Sequence, residues 1–291
     1  MKNLRAIILF ILVIGVVVYF CNDLPGVGKK IESYFKQSNI ATSTTSLLAD
    51  LKKEIVAPPP LRHSGGSASV AALLTSSGVI KITNQNREEN GLGDLSINDK
   101  LSAAAKEKLD DMFKNQYFEH VSPSGRGPAD LAGDVSYQYI VIGENLALGN
   151  FEGDKALVDA WMASPGHRAN ILNVKYKEIG VAVGEGLFNG QNTWLAVQEF
   201  GEPLSDCSSP DASLKQSINA LEAIISKSND DLKAKKADLD ATFASDPTYN
   251  QKADAYNTEV RQYNSDVGQV KIQIDQYNAE VKVFNTCAGA N

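Results

Sequence analysis

Cysteine, histidine, methionine and tryptophan are all scarce in this chain of 291 residues, at three, three, three and two copies. Three cysteines cannot scaffold a disulfide-dense mini-protein, so the core must come from ordinary packing. With only His63, His120 and His167, any histidine chemistry has a short list of candidates. An excess of base is missing too. Lys and Arg number 28 against 35 Asp and Glu, giving a net charge of -7 and a pI near 5.1. That balance argues against nucleic acid as a partner of the whole chain. No Gly-x-Ser-x-Gly nucleophile elbow occurs, and no two histidines have the spacing of a His-Glu-x-x-His helix. What is present, 43% hydrophobic and 22% charged residues, excludes wholesale disorder.

One long apolar run stands out, from Ala6 to Phe20, preceded by Lys2 and Arg5. With its flanks it reaches the roughly 17–25 residues a bilayer core requires. Tyr19-Phe20-Cys21-Asn22-Asp23 places bulky groups where a signal peptidase needs small ones, and Phe20 spoils a lipoprotein signal at Cys21. Residues 1–22 therefore read as a transmembrane signal-anchor, with a cleaved signal and a lipoprotein as the alternatives. The positive flank stays inside, so all that follows Cys21 is expected outside the membrane.

Residues 23–79 read as a linker. The run Ala41-Thr42-Ser43-Thr44-Thr45-Ser46 precedes Pro58-Pro59-Pro60 and Ser64-Gly65-Gly66-Ser67, a stiff piece and then a flexible one. His63 falls here and reads as a solvated linker residue. Residues 80–203 have the texture of a compact domain. Ile82–Glu89 predicts a first helix ended by Asn90-Gly91. Asn98 predicts the N-cap of a second, with Leu101, Ala105, Leu109, Met112 and Phe113 on one face. Tyr137–Leu148 reads as a strand and Asp154–Met162 as a helix. Ser164-Pro165 opens a further short helix. Ile179–Val183 and Thr193–Phe200 predict a hairpin across Asn189-Gly190. Helices first and last around a small antiparallel sheet make this an α+β fold, a sandwich of layers.

Residues 207–287 change period. Leu214, Ile218, Leu221, Ile225, Leu232 and Leu239 recur at heptad spacing up to Ser245-Asp246-Pro247. Tyr249, Tyr256, Tyr263, Val270, Tyr277 and Phe284 then follow one another seven apart, with Ala253, Val260, Val267, Ile274 and Val281 between them. This predicts an antiparallel α-helical coiled-coil hairpin. It would bring Cys207 and Cys287 to one open end, where an oxidising compartment allows a disulfide; two free thiols are the alternative.

Within 80–203, His120, Glu144 and His167 are the ionisable positions that draw notice. Glu144 interrupts an apolar strand, which is costly unless the carboxylate is paired. His167 falls in the first turn of a short helix, where the dipole favours a neutral ring able to hold a metal. Two histidines and a glutamate can form a zinc set, although this spacing matches no local motif.

Four segments occur in one order: Thr83–Leu92 (TNQNREENGL), Phe118–Pro123 (FEHVSP), Gly143–Ala147 (GENLA) and Trp161–Leu172 (WMASPGHRANIL). Together they resemble the bacterial branch of the CAP superfamily, the cysteine-rich secretory, antigen 5 and pathogenesis-related proteins. The resemblance implies an α-β-α sandwich with an open cleft lined by histidines and acidic residues. By matching motifs, His120, Glu144 and His167 carry over as cleft or ligand-binding residues, and His120 and His167 as ligands for a divalent metal such as zinc. A second glutamate that eukaryotic members have shortly after the tryptophan is not matched, since the stretch reads Met162-Ala163-Ser164. Asp159 is its nearest substitute. The expected function is a membrane-anchored, non-catalytic binding module for a cell-envelope, lipid or peptide ligand. Two alternatives stand beside it: a metal-assisted hydrolase in which Glu144 activates water, and a structural protein acting through a coiled-coil partner.

Overall fold

The computed structural model describes residues 53–63 and 73–289. The expected membrane anchor, residues 1–22, lies outside them. Among the described residues no helix is long and apolar enough to cross a membrane. They divide into two compact units, one of residues 53–63, 73–208 and 285–289, the other of residues 209–284.

The first unit is built on a six-stranded sheet. Its centre is antiparallel, as the sequence suggests: β4 (Tyr139–Gly149) pairs β6 (Gln191–Pro203), which pairs β5 (Glu178–Phe188). The β5–β6 turn is Asn189-Gly190, with φ of 50° and 79°. Those left-handed values match the twist of a tight hairpin and suit Asn and Gly. Short parallel strands extend the sheet at both edges, so it is mixed rather than purely antiparallel. β3 (Ser96–Ile97) joins β5; β1 (Glu54–Val56) and β2 (Leu61–Arg62) join β4. Residues 54–62 are thus part of the sheet and not of a linker. His63 belongs with them: its N–H donates to Leu148 O and its ring stacks on Phe151 at 4.9 Å.

Helix α1 spans Ser76–Glu89, beginning six residues before the expected start. Thr75 caps it through Gly78 N–H and is itself held by Asp154, whose carboxylate accepts from the Thr75 amide and hydroxyl. Val79, fully buried, anchors that extra turn. Helix α2 (Asp99–Asn115) is capped by Asn98 and buries Leu101, Ala104, Ala105, Leu109 and Met112. Three short helices follow, α3 (Pro128–Asp134) and, after β4, α4 (Asp154–Ala163) and α5 (Pro165–Ile171). Alternation along β4 sorts its neighbours. Ile142 and Leu146 pack with residues of α2, while Asn145 reaches the backbone of α5 and, through Gln198, Thr83 of α1. β4 is consequently buried on both faces almost throughout.

The second unit is two long helices, α6 (Ala212–Asp240) and α7 (Tyr249–Cys287). Ile218, Ile225, Leu232 and Leu239 of α6 share one apolar cluster with Tyr256, Tyr263, Val270, Ile274 and Tyr277 of α7. Ion pairs Lys235–Glu259 and Lys252–Asp238 fix the antiparallel direction. Cys207 and Cys287 are joined by a disulfide, with Cα atoms 5.7 Å apart.

Candidate functional site

The site lies along β4, and it begins with an electrostatic problem. Glu144 is fully buried. A lone carboxylate there would be expensive, and His120 answers it, its Nδ1 lying 2.5 Å from Glu144 Oε1. His120 arrives on the loop after α2, which is pinned from below. Lys108, the buried cation of α2, donates to His120 O at 2.7 Å and to the Tyr117 hydroxyl at 3.3 Å. Burial lowers the Lys108 pKa, while Glu144 and Glu199 pull it back up.

Glu199 of β6 stands directly across from Glu144 in the β4–β6 register. It is 3% exposed. Burial first, and then the neighbouring Glu144 carboxylate, hold its pKa well above the usual carboxylate range, with Lys108 opposing.

His167 enters from the first turn of α5. Ser164 is the N-cap residue of that helix, yet its hydroxyl makes no capping bond; it meets His167 Nδ1 at 2.8 Å instead. Burial, and next the proximity of His120, lower the His167 pKa to about 4. The ring is neutral at physiological pH, as its helical position predicts. His167 Nε2, Glu144 Oε2 and Glu199 Oε1 are buried without a hydrogen-bond partner among the described residues.

Other motif residues hold this frame. Asn170 Nδ2 donates to Asn145 Oδ1 at 3.0 Å and accepts at Oδ1 from the Tyr176 hydroxyl at 2.6 Å. Arg87, 3% exposed, donates to the carbonyls of Gly93, Ile171 and Asn173. Trp161 is fully buried, with its indole N–H on Leu146 O. Asp159 is exposed and paired with Lys155; the second acidic side chain beside Glu144 is Glu199.

The segment carrying β1 and β2 crosses the same place. The Pro58 carbonyl sits 2.5 Å from His120 Nε2. A carbonyl only accepts, so Nε2 is the donor to Pro58 O. Both ring nitrogens are engaged, and neither presents a lone pair to a metal. Among the described residues no three His, Cys, Asp or Glu side chains are grouped to hold an ion. The arrangement does not fit a divalent metal on His120 and His167 while Pro58 is seated.

Of the three residues expected from sequence, His120 and Glu144 are in direct contact, and His167 is close enough to His120 for their charges to interact. Lys108, Glu199 and Pro58 were not anticipated. Lys108 does carry a signal, since it occupies a position of the α2 stripe otherwise held by Leu101, Ala104, Ala105, Leu109 and Met112.

Residues 80–200 match the family model described as CAP, the cysteine-rich secretory protein family. The uncharacterized protein YkwD of Bacillus subtilis (strain 168) is 40% identical over 107 residues, covering 37% of this chain and 41% of that protein. The uncharacterized membrane protein YlbC of the same organism is 32% identical over 105 residues, covering 36% of this chain and 30% of that protein. The chain thus spans well under half the length of these curated relatives. Among solved structures, an extracellular protein containing an SCP domain from Bacillus anthracis str. Ames is 26% identical, with a TM-score of 0.38 over 43% of this chain and 39% of that one. An outer surface protein from Borrelia burgdorferi is 24% identical, with a TM-score of 0.37 over 43% of this chain and 90% of that one.

Proposed function

Because residues 80–200 are a CAP domain, we infer that this chain is a membrane-anchored extracytoplasmic binding module whose cleft captures a cell-envelope ligand without turning it over. One observation carries the reading: His120, the cleft residue best placed for chemistry, spends both ring nitrogens on Glu144 and on a main-chain carbonyl. A general base or metal ligand needs a free lone pair. A residue that holds carbonyls needs the N–H it has. The compartment is supported by the Cys207–Cys287 disulfide, a bond that persists in oxidising surroundings, and by the apolar run near the N-terminus. The two helices of the second unit, with buried residues seven apart, fit an antiparallel coiled coil acting as a rigid spacer.

The test incubates the purified full chain with insoluble cell-wall sacculi, with lipid vesicles and with a peptide library, scoring retention and product formation in parallel. Retention of one class without turnover is expected. Turnover abolished by Glu144→Gln would replace the binding reading with an enzymatic one.

A further inference from the structure

Residues 53–63 make contacts that are unusual for a strand of a core sheet. Pro58 alone among them is buried, and Ile55 is 46% exposed. The ladder to β4 is broken in its middle. β1 pairs Glu54–Val56 with residues 141–143 and β2 pairs Leu61–Arg62 with 147–148, so four residues, 57–60, face only three. Three of those four are prolines, which have no N–H to give a ladder. Where the ladder fails, side chains take over. The Pro58 carbonyl meets His120 Nε2, and its ring lies over Gly166, where an added Cβ would come within 2.8 Å of Pro58 Cβ. At the ends, Lys53 lies over the Tyr139 ring at 4.7 Å and Arg62 over the Phe118 ring at 4.9 Å. Backbone pairing, one buried anchor and side-chain clamps at each end are how an extended peptide is read by strand addition.

The geometry points to residues 53–63 being a tethered ligand: the edge of β4, with His120 and Gly166, is a recognition site for an extended proline-containing peptide, occupied here in cis. This rests on the binding-module reading and names the ligand class for it. Departure of the strap leaves β4, an eleven-residue strand, with a row of unpaired main-chain groups. A lipid or a glycan cannot satisfy that row in register; another polypeptide can. A ligand carried on the same chain competes at roughly millimolar effective concentration, so the site opens to peptides in trans only when the strap is weakened or outcompeted.

The test uses the full chain and a fluorescein-labelled synthetic peptide of residues 53–63, read by fluorescence anisotropy. Replacing Pro58, Pro59 and Pro60 by Gly in the chain removes the anchor ring and releases the strap. The released chain is expected to bind the labelled peptide at least ~10-fold more tightly than the native chain, through relief of the tethered competitor. Adding Gly166→Ala to it should cost at least ~10-fold, as loss of a central anchor contact does. A released chain with native far-UV circular dichroism that ignores the peptide overturns the proposal, as does equal binding by the native chain. If that released chain is still retained on sacculi or vesicles, the binding-module reading survives alone; if it retains nothing, both fall. Should the released chain not fold, hydrogen exchange on the native chain decides. The His63 amide, bonded to Leu148 O, should exchange by local opening ~100-fold or more faster than the amides of Ala196 and Val197 in the sheet centre. Equal protection would make the strap an ordinary strand and end the proposal.

Discussion

Both units bury an apolar core, but they differ in the polar residues they bury with it. The first buries Thr83, Arg87, Lys108, Glu144, Asn145, His167, Asn170, Gln198 and Glu199; the second has a single buried charged residue, Asp266, bonded to Gln262 one turn away. One unit spends stability on a polar constellation assembled from five elements, whereas the other repeats an apolar seam drawn from two. The contrast separates what a fold needs from what a site needs. An apolar seam tolerates each residue on local terms, but a buried polar network depends on every partner being present.

The largest expected break in this comparison is His120→Ala, which leaves Glu144 buried without its ion partner at a cost of about 3–5 kcal/mol. Both tryptophans, Trp161 and Trp194, belong to the first unit, so their fluorescence reports it alone. In a urea titration the fluorescence midpoint should fall sharply, and the helical circular dichroism should split. The fraction from α1–α5 should fall with it, and the hairpin's fraction, which is the helical signal that reports the second unit, should keep its own midpoint. A shared fall in both signals would deny the units their independence. Breaking the disulfide with Cys207→Ser and Cys287→Ser should act in the other direction. The bond closes a loop of sequence separation 80. Its loss is worth up to about 4 kcal/mol in the chain-entropy model, and often less in practice. The helical signal should lose its midpoint more than the tryptophan signal does.

A third contrast is pH. His167 has a folded pKa of about 4 against an ordinary 6.5. Its neutral form is the one the fold prefers, so the stability it confers is present above about 6.5 and is lost as pH falls toward 4. A shift of that size is worth about 3 kcal/mol, with no discount for solvent because the side chain is buried. Glu199 works in the opposite sense: its raised pKa favours the fold below the ordinary carboxylate range and disfavours it as pH rises. His167→Gln should remove the loss on the acid side. Glu199→Gln should raise stability near neutrality. If neither changes the pH dependence of the fluorescence midpoint, the polar constellation is not the source of the slope.

The same contrast explains what could be read in the sequence. The Asn189-Gly190 turn and the Asn98 cap are local patterns, and each appears in the structure where the chain announces it. His120 and Glu144 stood out as ionisable residues, but only motif order set them in one site, because a contact between residues 24 apart leaves no periodic trace. Glu199 was hidden for a different reason. Beside Gln198 in an apolar strand it looks like the polar end of a run, and only the β4–β6 register sets it against Glu144. The strap was misread outright, since three prolines argue against a strand and the parallel partner that accepts them lies far along the chain. The first helix, expected from Ile82, begins instead at Ser76, a Ser- and Gly-containing start masking its first turn.

The smallest effect gives the sharpest contrast, because one substitution should change sign between the units. Gly268 lies inside α7 with open space where a Cβ would stand. Gly268→Ala costs no contact and removes backbone freedom from the unfolded chain, so it should stabilise the hairpin by about 0.5–1 kcal/mol. Gly180 lies in β5, where a Cβ would come within 2.1 Å of the backbone of Leu101 and Ser102. Both neighbours are main chain at the start of α2 and cannot swing aside, so Gly180→Ala must push helix from sheet, at about 1–3 kcal/mol. Parallel urea titrations should show the helical midpoint rising in the first variant and the fluorescence midpoint falling in the second. A loss in the first would mean that the hairpin surface at Gly268 is occupied in solution, turning an apparent spacer into a contact surface.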